Sequence, residues 1–245
     1  MRTPGFLIFA ALVVLVLPQA LRGQSGSFTV SQLGKQVGTA SFDFKSTKNG
    51  FASTSKVKVS MKGLEYAFSK EEELSASNEL QRVQLSATVN GSAVSIVGVP
   101  DGSEFMLNIS ASGRNSTARL AAHPGAVFMP DFDPGALETL LALGISRNNH
   151  DLWAIFPKQS GNDAATTSQI QLATYPDEQG TLNGQQIAVH HLVANVAGTS
   201  TDLFSGPENQ LLQAELPQQG FALIRNGFVL KPPAKSGAAP PPEQQ

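Results

Sequence analysis

The stretch that decides the fold is Lys48-Asn49-Gly50-Phe51-Ala52-Ser53-Thr54-Ser55-Lys56-Val57-Lys58-Val59-Ser60-Met61-Lys62-Gly63. Phe51, Val57, Val59 and Met61 fall on one parity, and Thr54, Lys56, Lys58, Ser60 and Lys62 on the other. Successive strand residues point to opposite faces, so this period of two describes a strand with one buried and one solvated side. Lys48-Asn49-Gly50 turns the chain into it, and upstream Phe42 and Phe44 alternate with Ser41, Asp43 and Lys45, which makes the pair a hairpin. Lys56, Lys58 and Lys62 are therefore read as the wet face of a strand, not as a basic binding patch.

The same pattern spreads outward. Gly63 breaks to Leu64, Tyr66 and Phe68, and a strand with Val83, Leu85, Ala87 and Val89 ends at Asn90-Gly91, the dipeptide best suited to a two-residue turn. Val94 and Ile96 return, Asp101-Gly102 turns again, and Phe105, Leu107 and Ile109 follow, so Ser27 to Ile109 reads as a meander. His123-Pro124-Gly125 and Met129-Pro130-Asp131-Phe132-Asp133-Pro134-Gly135 interrupt any strand pattern. One short helix is predicted there, with Asp133 as N-cap, Pro134 at its first position, Ala136 to Leu143 as its body and Gly144 as its stop. Strands are predicted again at Leu152 to Phe156 and, after a polar loop over 159–167, around Ser168–Tyr175, Gln185–Val196, Thr199–Phe204, Gln210–Leu216 and Phe221–Leu230. The expected fold is mostly β: a curved antiparallel sheet or half-barrel of about a dozen strands with one short helix.

At the N-terminus, Arg2 precedes twelve unbroken apolar residues, Phe6 to Leu17, which Pro18 ends. That is the length of a signal-peptide core and too short for a membrane span of about 20 residues. The organisation expected is a cleaved signal peptide at 1–23, one β-rich domain at 24–230, and a disordered Pro-rich tail at 231–245 that holds no apolar residue larger than Ala. The compartment expected is periplasmic or secreted, with no integral membrane span after cleavage. The chain has no Cys, so neither a disulfide nor a thioether-linked lipid is available to it. Removing Arg2 and Arg22 takes the net charge from −2 to −4, without a basic block, which excludes a nucleic-acid partner. An outer-membrane barrel shares the alternation but wears aromatic girdles, and this chain has one Trp and two Tyr.

Motifs for chemistry are weak. Ser53-Thr54-Ser55-Lys56 and Ser55-Lys56-Val57-Lys58 both match S-x-x-K, but positions i and i+3 of a strand face opposite ways. His190 and His191 are adjacent and, on a strand, point apart, and the spaced ligands of a zinc site are missing, so neither a metal nor a cofactor is expected. Asp131 and Asp133 read as a stiff turn and a helix cap. The chain is read as non-enzymatic; a cluster of His190, Asp202 and a Ser in a cleft would reverse that. The remaining candidate is apolar surface. Leu137, Leu140 and Leu141 of the helix, facing Phe42, Phe44, Val57, Val59 and Phe68 of the sheet, form either an ordinary core or a pocket for an acyl chain.

Phe28-Thr29-Val30, Gly34, Val37-Gly38, then Phe42 and Phe44 resemble the opening of an uncharacterised class of bacterial periplasmic domains. The order Leu152 to Pro157, Gly184 to Val189, Leu203-Phe204 and Leu211 to Leu216 is similar to its closing strands. In broad shape the chain resembles the half-barrels of the periplasmic lipoprotein carriers (LolA/LolB-like), a curved sheet with a helical plug. That resemblance implies a fold and the binding of acyl chains, and it carries over no catalytic residue. Two functions remain: binding of an apolar ligand or lipidated partner in a sheet–helix cavity, or an envelope interaction module with a filled core whose strand edges or Pro-rich tail make the contacts.

Overall fold

The structure, a computed structural model, describes residues 24–158 and 165–231. The expected signal peptide and nearly all of the expected Pro-rich tail lie outside these residues. The chain runs β1 (Ser25–Gln32), β2 (Lys35–Thr47), β3 (Gly50–Met61), β4 (Leu64–Ser75), β5 (Leu80–Val89), β6 (Ser92–Asp101), β7 (Glu104–Ala111) and β8 (Arg114–Ala121). Then come β9 (Ala126–Phe128), α1 (Pro134–Ser146), β10 (Leu152–Pro157), β11 (Ala165–Leu182), β12 (Gln185–Val196), β13 (Thr199–Ser205), β14 (Leu211–Leu216), β15 (Phe221–Arg225) and β16 (Phe228–Leu230).

All sixteen strands belong to one mostly antiparallel sheet that does not close, in the order β8 to β1, then β15 down to β9, with β16 paired to β11. The fold is thus the curved-sheet class expected, with sixteen strands in place of about a dozen. Two meanders, β1–β8 and β10–β15, are joined where β1 pairs with β15. Asn90-Gly91 makes its turn with φ of 47° and 80°, the left-handed pair the dipeptide suggested. Asn90 Oδ1 also accepts the Glu65 backbone N–H at 2.8 Å, which ties this turn to the preceding one.

The pleat sorts side chains as the alternation required. On β3, Phe51, Ser53, Ser55, Val57 and Val59 are buried while Thr54, Lys56, Lys58 and Ser60 are exposed. On β4, Tyr66, Phe68, Lys70, Glu72 and Leu74 are buried, with Glu71 and Glu73 outside. The outer face of these central strands is charged, unlike the apolar band a barrel turns to lipid. Among the described residues no helix is long and apolar enough to cross a membrane.

β9 and β10 pair in parallel, and a parallel pair needs a crossover. The helix supplies it. Asp133 is its N-cap, with Oδ1 accepting the Gly135 N–H at 2.9 Å, and Pro134 starts the helix. Ten of its thirteen residues are buried, Glu138 and Thr139 among them, because α1 packs against β2, β3, β9, β10 and β14. Gly144 does not end it, in contrast to the expectation. The helix continues to Ser146, and Asn148 and Asn149, at φ 50° and 61°, supply the left-handed turn. A smaller cluster of Val189, Phe204, Leu212 and Phe228 stands apart from the main core, with β16 contributing Phe228 to it.

Candidate functional site

Between β9 and α1 the chain turns through Met129-Pro130-Asp131-Phe132-Asp133. Phe132 lies at φ 60°, a left-handed conformation that costs a bulky residue about 1–3 kcal/mol and persists only where its surroundings enforce it. Prolines on both sides restrict the segment, and the Phe132 ring packs edge-on to Phe221 at 4.9 Å and to Tyr66 at 6.4 Å. The consequence is that two acidic residues two positions apart serve different places: Asp133 is buried against the sheet and Asp131 lines a groove.

The groove has a volume of about 170 Å³. Leu85, Ala87 and Val89 of β5 with Val94 and Ile96 of β6 form its apolar wall. Met129, Pro130, Phe156 and Pro157 form the facing wall, and Tyr66, Asp131 and Lys158 give it polar groups. Tyr66 is 7% exposed; burial first, then the charges of Asp131 and Asp133, raise its phenol so that it keeps its proton. Asp131 is exposed by surface area yet crowded by neighbours, and this partial desolvation moves its carboxyl upward. Tyr66 is thus a buried member of the groove lining and Asp131 an exposed one.

Behind the groove lies a buried charge cluster. Lys70 Nζ stands 2.9 Å from Glu72 Oε1 and 2.5 Å from Asp133 Oδ2, with all three side chains at 0–2% exposure. These are ion-pair distances, and Glu72 Oε2, on the far side of its carboxylate, has no hydrogen-bond partner. Burial acts to lower the Lys70 ammonium, but Asp133 and Glu72 outweigh it and hold the group above its ordinary value. Burial, opposed by Lys70 and reinforced by Asp133, pushes Glu72 up. Ser53 and Ser55, cross-strand neighbours of Glu72 and Lys70, add buried hydroxyls with no partner. Gly135 is needed where α1 meets them, because a Cβ there would lie 2.3 Å from Ser55 Oγ.

The helix is tied to the other meander by Glu138, whose Oε2 accepts the Leu211 backbone N–H at 2.7 Å. Burial pushes the Glu138 carboxyl to about 7, against the smaller opposing effects of the Leu211 hydrogen bond and Arg225. A folded-state value above the unfolded one means that the native state binds the extra proton. Stability from this group is present below about 4.5 and is lost as pH rises through about 7, by about 3 kcal/mol in all. Urea midpoints should fall between pH 5 and 8, and Glu138→Gln should flatten that fall; an unchanged slope in the variant would assign it to other groups.

No family model, curated protein or solved structure matches the chain. The site therefore rests on geometry. The sheet residues Phe42, Phe44, Val57, Val59 and Phe68 and the helix residues Leu137, Leu140 and Leu141 are all brought together in one buried cluster, at 0–8% exposure. None of the eight lines the groove. Phe42 alone touches a second, larger opening of about 270 Å³, with Ser25, Ser27, Ser41, Arg225 and Asn226. That opening is the weaker candidate because Arg225 is already committed: Nη1 donates to the Leu211 carbonyl at 3.0 Å and Nη2 to that of Ser25.

Ser53 and Ser55 face inward and Lys56 and Lys58 outward, so the S-x-x-K matches are split across the sheet. His190 Nδ1 meets Asp177 at 3.0 Å, whereas His191 meets Asp202 through Nε2 at 2.9 Å and Glu178 through Nδ1 at 3.3 Å. Asp202 thus pairs with His191 and not with His190. The two carboxylates on His191 take opposite ring nitrogens and do not converge on one point. Sequence reasoning missed Lys70 and Glu72, although they share the parity of Tyr66, Phe68 and Leu74, which was the available signal.

Proposed function

We propose that this chain is an exported, non-enzymatic binding domain that takes an apolar chain, free or carried by a lipidated partner, into the groove between β5, β6 and the Met129–Asp131 segment. The observation that carries the reading is a small groove with apolar side chains from β5, β6 and the facing segment on its two walls and Tyr66, Asp131 and Lys158 in its lining. Export rests on residues 1–23 as read from the sequence, and the resemblance to the lipoprotein carriers supports an acyl chain in a half-barrel. At about 170 Å³ the groove has room for about six groups of water size, hence a short segment of chain with the remainder outside.

The neutral probe N-phenyl-1-naphthylamine should bind saturably at about one per chain. Ala87→Leu, which adds bulk to a half-buried groove wall, should weaken this at least tenfold and leave the melting temperature within about 2 °C. Absence of binding, or binding that Ala87→Leu does not alter, would overturn the reading. In that event the filled interior around α1 favours the interaction module, with β8 at one end of the sheet as the edge for strand addition.

A further inference from the structure

We infer that the buried cluster of Lys70, Glu72 and Asp133 is a self-modification site, at which Lys70 Nζ condenses with the Asp133 side chain to an isopeptide bond and one water is released. This reaction is independent of what the groove takes up. Lys70 Nζ stands 2.5 Å from Asp133 Oδ2. With a C–O bond of about 1.2 Å, that contact puts Nζ within about 3.7 Å of Asp133 Cγ, close to the attack distance of about 3–3.5 Å. Glu72 Oε1 lies 2.9 Å from the same nitrogen, so a third group is in reach for proton transfer.

The surroundings are dry. Opposite Lys70 and Glu72 on β5 stand Leu85 and Val83, both buried, and a full charge is expensive in such a setting. The Lys70–Asp133 ion pair and its neutral form, an amine beside a carboxylic acid, hold the same protons and differ by one transfer across their contact. Asp133 and Glu72 hold the ammonium, which slows that transfer. The bond, however, has to form only once in each molecule.

The neutral amine attacks Asp133 Cγ and the N–C bond forms. Glu72, whose carboxyl burial pushes up toward the protonated form, gives a proton to the departing Oδ2 hydroxyl and accepts the one that the nitrogen sheds. The Cγ–Oδ2 bond breaks, water leaves and Glu72 ends as it began. Neither an oxidant nor a cofactor enters. Asp133 Oδ1 stays as the amide oxygen and still accepts the Gly135 N–H, so the helix keeps its cap. The Ser53 and Ser55 hydroxyls, cross-strand from Glu72 and Lys70 and without partners, can hold the released water. In a chain without Cys, the bond ties β4 to the start of α1 as a disulfide would.

Peptide mapping of the purified, folded protein by mass spectrometry tests this. Trypsin should leave Lys70 uncut, and a branched peptide, lighter than its two arms by one water, should join Lys70 to Asp133. Lys70→Arg keeps the positive charge but offers no amine, so its two peptides should come apart at full mass. Glu72→Gln should leave the folded protein mostly unlinked. Where a variant does not fold, the map of the unaltered protein decides by itself. Lys70 and Asp133 recovered from that protein in separate peptides of full mass would overturn the inference, as would a branched peptide that persists in Lys70→Arg. A Glu72→Gln protein that folds and links as fully as the unaltered chain would overturn the role given to Glu72.

Discussion

Lys70→Met is expected to cost about 3–5 kcal/mol, because it leaves Glu72 and Asp133 buried without the cation that stands within 2.9 Å of both. In a chain of this size that is on the order of 10 °C in melting temperature. The loss should depend on pH with a defined sign. Glu72 is already pushed up by burial, and without Lys70 it would rise further, so the folded variant holds a proton that the unfolded chain releases. The variant should therefore be least impaired near pH 5 and lose stability as pH increases. Replacing the whole cluster, as Lys70→Met with Glu72→Leu and Asp133→Asn, should recover most of the loss, because the amide oxygen can still cap the helix and no buried charge remains. A loss under 1 kcal/mol for the single variant, measured by urea denaturation, would mean that water reaches the cluster.

Leu140→Ala is expected to cost about 2–5 kcal/mol, toward the upper end, since Leu140 is wholly inaccessible in a helix enclosed on all sides. The argument turns on α1 being packed as core. If it were a loosely held cover, truncating Leu140 would cost little and the vacated space would take up N-phenyl-1-naphthylamine. A loss of several kcal/mol, with groove binding unchanged below the melting transition, fits the enclosed helix.

The sheet was legible where one face is apolar and the other charged, as at Phe51 to Met61, and where Asn-Gly or Asp-Gly turns fall between such runs. It was illegible where that contrast fails. β8 reads Arg-Asn-Ser-Thr-Ala-Arg-Leu-Ala and buries neither face, so no alternation marks it. β9 is three residues long and pairs in parallel across a helix, a partnership that no local signal encodes. β11 runs from Ala165 through Pro176 to Leu182, because a bulge between Tyr175 and Glu178 accommodates the proline, and Gly180 beyond it stays in register opposite Ile187.

The helix cap and the buried leucines followed from composition, whereas the groove did not. Its walls come from β5, β6, the segment before α1 and the end of β10, and only the folding of β9 over β5 brings them together. Lys70 and Glu72 were hidden for a different reason. A charged side chain on the apolar parity of a strand is costly unless it is paired, and its partner Asp133 lies about sixty residues away in sequence.

The most direct test is a methyl-resolved NMR titration of the protein with N-phenyl-1-naphthylamine. Groove occupancy predicts saturable shifts at Leu85, Ala87, Val94 and Ile96, with Leu140, Leu141 and Leu143 of the enclosed helix unmoved. Shifts centred on those helix leucines, or none at either place, would contradict the account.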